Sequence, residues 1–202
     1  MPGAARTAVP ISDALLDLSV SYVAHDGDGV PLERAARYGF DALPAWLVAI
    51  AIARPRGRQR MSDTLEAAIT AGVDRSSLGA CLTYVELAAA LVAGQPASVA
   101  IEEVRGSHRP PPPAEMPNVS GDLASDAVAT SMWVLSHPAC GLADVVPAVM
   151  ARAGGAVAAA VGGLLGLRDG ARAIPASWRH HAGPTATQCA GLAPLLARVR
   201  LD

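Results

Sequence analysis

Aromatic side chains make up only 3% of these 202 residues. Rings therefore cannot build the interior, and Ala, Leu and Val have to. Alanine is the best helix former and small side chains let helices approach closely, so this shortage predicts an all-α protein. The β-branched alternation that announces strands is scarce as well. A basic excess is missing: the formal charge of −2 gives no electrostatic footprint for nucleic acid, which is excluded as an expected partner. Cysteines number three, Cys81, Cys140 and Cys189, odd in count and without a CxxC pair. That usage suits reduced thiols rather than a disulfide framework, and it points to a cytoplasmic setting. The start Met1-Pro-Gly-Ala-Ala-Arg lacks the charged-then-apolar order of a secretory signal. The longest uncharged apolar run lies between Arg152 and Arg168, short of the roughly 18 to 20 residues that cross a bilayer, so no membrane partner is expected.

What the chain does have is 51% hydrophobic residues, enough for one sizeable core. A single domain over about 11–200 is expected. Ser12 or Asp13 can cap a first helix carrying Leu15, Leu16, Leu18, Tyr22 and Val23 on one face, ended by Asp26-Gly-Asp-Gly29. Pro31 suits the start of a second helix, Leu32 to about Leu43, and Pro44 should break or kink it before Trp46 to Ile52 continues. Arg54 to Arg60 is polar and punctuated by Pro and Gly, so it reads as an exposed loop. Asp63 and Glu66 have capping-box spacing, and the helix they open should stop at Gly72. Leu78, Cys81, Leu82, Val85, Ala89 and Val92 follow the i, i+3, i+4, i+7 rule and predict a central core helix ending at Gly94.

Pro96 opens a short helix to about Val104. The stretch 106–121, with Pro110 to Pro113, should be an extended surface loop. A ligand for a proline-binding module is the other reading of those prolines, and the stiff loop is favoured. Further helices are expected at Asp122 to Ser136, Leu142 to Arg152, Gly155 to Leu167 and Leu192 to Val199.

The run Ala153-Gly-Gly-Ala-Val-Ala-Ala-Ala-Val-Gly-Gly-Leu-Leu-Gly-Leu167, followed by Ala173-Ile-Pro-Ala-Ser-Trp178, resembles the C-terminal signature of the ADP-ribosylglycohydrolase family. There a Gly/Ala-rich helix opens on Gly-Gly-Asp-x-Asp-Thr and is followed by Ile-Pro-x-x-Trp. Three other stretches are similar to that family in the same order. Ser12-Asp-Ala-Leu-Leu16 and the later Leu32 to Tyr38 look like its Asp-Asp-Thr-Gln-Met helix and successor, with Ser12 replacing one aspartate and Asp13 keeping the other. Ser77 to Gly94 looks like the central helix, with Val73-Asp-Arg-Ser76 in place of a Thr-His pair. Gly121 to Leu135, with Asp126 and Met132-Trp133, is similar to the element that precedes the metal helix. The family's opening glycine-rich segment and its Asn-Gly-x-x-Met-Arg middle have no counterpart.

The resemblance implies a compact helical domain of the ADP-ribosylglycohydrolase type. It also implies a site in which aspartates and a hydroxyl from the first and last helices hold two Mg²⁺ ions against the ribose hydroxyls. Gly154 and Ala156 stand where carboxylates belong, and magnesium needs hard oxygen ligands. Of that ligand set only Asp13, a vestigial metal ligand, and Ser12 remain, which cannot hold a two-metal centre. No cofactor is expected; Mg²⁺ enters only if the chain has kept hydrolysis. Ser12, Gly154 and Gly155 are the candidate ligand-binding residues, because free amides at a helix start suit phosphate.

Each candidate has a structural counterpart. Asp13 can serve the backbone amides of its own helix. Ala158, Gly162 and Gly166 recur every four positions and read as a close-packing face. His180-His181 reads as a solvated tail rather than a metal pair. The arginines of 54–60 read as a solvated loop rather than a pyrophosphate clamp. Three functions stay open. The first is a protein with a lost or altered dimetal site that binds ADP-ribose, NAD, a related ribosyl ligand or a partner protein. The second is an active hydrolase of a ribosyl glycosidic bond, using Asp13, Asp126 or another acid. The third is a helical interaction protein that kept only the scaffold.

Overall fold

The computed structural model describes residues 47–48, 50–52, 58–70, 72–106 and 114–199. The expected helices between Ser12 and Leu43 and the prolines 110–113 lie outside them. Among the described residues the fold is helical, with no strand. Residues 47–48 and 50–52 are helical, followed by α1 (Arg58–Thr70), α2 (Leu78–Val92), α3 (Ala97–Arg105), α4 (Leu123–Ser136), α5 (Leu142–Ala153), α6 (Gly155–Asp169) and α7 (Ala176–Val199). Single 3₁₀ turns at Arg75–Ser77 and Ala171–Ala173 lead into α2 and follow α6.

Helix α2 is the hub that the heptad-like spacing predicts: it packs on α1, α3, α4 and α6. Its buried set, Cys81, Tyr84, Val85, Leu87, Ala88, Ala89 and Leu91, wraps more than one face. A helix apolar on several sides belongs inside a bundle. Helix α6 is the second hub, against α5, α4 and α2. It divides its faces between two apolar clusters. Ala160 and Leu164 join the cluster around α2. Val157, Ala158, Val161 and Leu165 join one shared with Val134, Leu142, Val145 and Val149. Trp178 and Ile174 pack against the second cluster, so the end of the chain's Ile-Pro-x-x-Trp element is seated beside α6.

Two local expectations are corrected. Helix α1 starts at Arg58, ahead of Asp63, so Asp63 is not its first residue; it lies inside the helix and is buried. Arg58 to Arg60 are therefore helical rather than loop. Arg60 is buried, with its Nε donating to Glu86 Oε1 at 3.0 Å and its Nη2 paired with Glu86 Oε2. The tie reaches from α1 to α2, and burying an arginine requires such a partner.

The helical span Ala176–Val199, two helical segments joined at Gly183, reaches well ahead of the start expected near Leu192. Gly183, at φ 51° and ψ −129°, kinks it. His180 and His181 are accordingly helical and exposed.

Candidate functional site

Ser12 and Asp13 lie outside the described residues, so the structure tests only the α6 end of the expected site. Gly154 is both the last cap of α5 and the first cap of α6, at φ 85° and ψ 172°. Its amide donates to Met150 O at 3.1 Å while its carbonyl accepts from Ala158 N at 3.1 Å. One residue thus ends one helix and starts the next, and the positive φ favours glycine on conformational grounds alone. Gly155 is exposed, and a Cβ there would meet nothing within 4 Å. The first amides of α6 have no intrahelical acceptor, as at any helix start. No side-chain oxygen stands at Gly154, Gly155 or Ala156. This half of the site does not fit a magnesium pair. Among the described residues no group of three or more His, Cys, Asp or Glu side chains is placed to hold a metal.

Asp126, the acid available to the hydrolase reading, is held in a structural task. It is buried near the start of α4. Its Oδ1 accepts from Ser120 N at 2.8 Å and Ser120 Oγ at 2.7 Å, and its Oδ2 accepts from Gly121 N at 3.0 Å. These bonds fasten the extended strap 114–121 to α4. Trp133 Nε1 donates to Ala114 O at 3.3 Å, and Arg152 Nη2 donates to Asn118 Oδ1 at 2.9 Å. The strap is the described part of the expected Pro-rich surface loop, and it is a pinned one.

The α4 start is built around a second acid. Asp122 is the N-cap, accepting from Ser125 N at 3.2 Å. Desolvation works against its charged form, but hydrogen bonds from Ser125 and Ser77 and from the amides of Ser125 and Ala124 outweigh it and lower the carboxyl pKa. Beneath it, Cys81 is pushed up to about 11, chiefly by burial, with the Asp122 charge adding and a backbone hydrogen bond opposing. A buried thiol kept protonated is a poor nucleophile. In the native protein Cys81 should react with iodoacetamide at pH 7.5 far more slowly than Cys140, which is only half-buried. Peptide mapping after brief alkylation checks this; equal labelling of the two would contradict the packing around Cys81.

The histidines do not assemble. His137 Nδ1 lies 2.7 Å from Trp133 O, and its ring lies tilted over the Trp133 ring, centroids 4.6 Å apart. His181 Nδ1 is 2.7 Å from Ser177 O, and the His180 and His181 rings stand edge to face at 6.2 Å. Two features were not read from the sequence: the Arg60–Glu86 pair, and the bond from Tyr84 Oη to Ala160 O at 2.7 Å, which joins α2 to α6 across the core. A lone tyrosine in a helix of small aliphatic residues was the available signal for the second.

Open grooves cross the described surface. One, of about 430 Å³, runs between α1, α2 and α3; another, of about 590 Å³, lies between α3, the end of α4 and Arg168 of α6. Neither is lined by Gly154 or Gly155. Compared with known proteins, the chain matches no family model, no curated protein and no solved structure. No described helix is long and apolar enough to cross a membrane.

Proposed function

We propose that this chain is a binding protein on an ADP-ribosylglycohydrolase-type helical scaffold, taking ADP-ribose, NAD or a related ribosyl ligand, or a partner protein, without the parent hydrolysis. The observation that carries the reading is the start of α6. Gly154, Gly155 and Ala156 stand there without a side-chain oxygen, on a helix that packs at the centre of the bundle and beside Trp178. The commitment of both Asp126 oxygens to Ser120 and Gly121 supports it further, because a carboxylate engaged by three donors is poorly placed to activate water.

Isothermal titration with ADP-ribose and with NAD, each with and without Mg²⁺, tests the proposal. Binding that does not depend on Mg²⁺ is the expected result, together with no release of ADP-ribose from an ADP-ribosylated protein in Mg²⁺ buffer. Mg²⁺-dependent turnover would replace this reading with the hydrolase one. Silence toward both nucleotides would leave the scaffold as a protein-interaction module.

A further inference from the structure

We draw no further inference here: the strongest candidate, the outward face of α1, where Met61 and Ile69 stand exposed while Arg60, Asp63 and Thr64 are buried, carries nothing, because nothing among the described residues shows what covers it.

Discussion

Truncating Tyr84 to alanine is expected to cost about 3–5 kcal/mol, the range for deleting a buried aromatic ring. That loss would take a large share of the stability of an ordinary domain. Tyr84 is among the largest fully buried side chains and sits in the hub helix. The ring fills the junction between α2 and α6, and its hydroxyl donates to Ala160 O. Tyr84→Phe keeps the ring and removes the hydroxyl. The Ala160 carbonyl still faces the Leu164 amide along α6, so no acceptor is stranded, and the expected loss is only about 0.5–1.5 kcal/mol.

The two variants also separate in pH. Burial pushes the Tyr84 phenol above its ordinary pKa. The folded state therefore resists ionisation that the unfolded chain undergoes freely. The stability tied to the neutral phenol is complete at neutral pH and falls as pH rises past the ordinary tyrosine range. Urea denaturation of wild type should show that decline, and Tyr84→Phe should lack the Tyr84 share of it. Equal losses for the Ala and Phe variants would mean that the hydroxyl, not the ring, holds the junction.

The sequence disclosed helices where local rules agree. Helix α2 has an apolar period and ends with Ala93 and Gly94, the glycine at φ 81°. Helix α4 has a capping aspartate that does accept a backbone bond. Where partners are distant, local rules misled. Arg58 to Arg60 look like loop because arginines are normally solvated, yet Arg60 is buried by a glutamate 26 residues away. Asp63 and Glu66 have capping-box spacing, but spacing cannot say that the helix has already begun a turn earlier. The first half of α7 was lost for the opposite reason. Its histidines, Gly183 and Pro184 carry no apolar period, and Trp178 anchors it only through the second cluster. At the candidate site the glycines were legible as glycines. What they serve was not: a positive φ at Gly154 can only be read from the backbone.

The small residues of α6 show the same limit, and they yield the sharpest mutational contrast. Spacing by fours singles out Ala158, Gly162 and Gly166 as the close-packing face. The structure puts the tightest approach one residue off that series, at Gly163. A Cβ there would stand 3.3 Å from Tyr84 Oη and 3.3 Å from Val48 Cγ2. At Gly162 it would meet Val146 Cγ2 at 3.5 Å, an ordinary contact, and at Gly166 nothing within 4 Å.

Alanine brings the same helix-propensity gain of up to about 1 kcal/mol at each position, so the three variants differ by packing alone. Gly166→Ala should keep that gain, and Gly162→Ala should keep most of it. Gly163→Ala should lose it, because Tyr84 is locked by its bond to Ala160 and cannot withdraw without breaking it. Gly163→Leu forces α2 and α6 apart and is expected to cost about 1–3 kcal/mol or more. Chemical denaturation of the series reads the order directly. Should Gly163→Ala prove as stable as Gly166→Ala, the α2–α6 junction has slack, and the large penalty argued for Tyr84→Ala would have to come from the lost ring area and not from close fit.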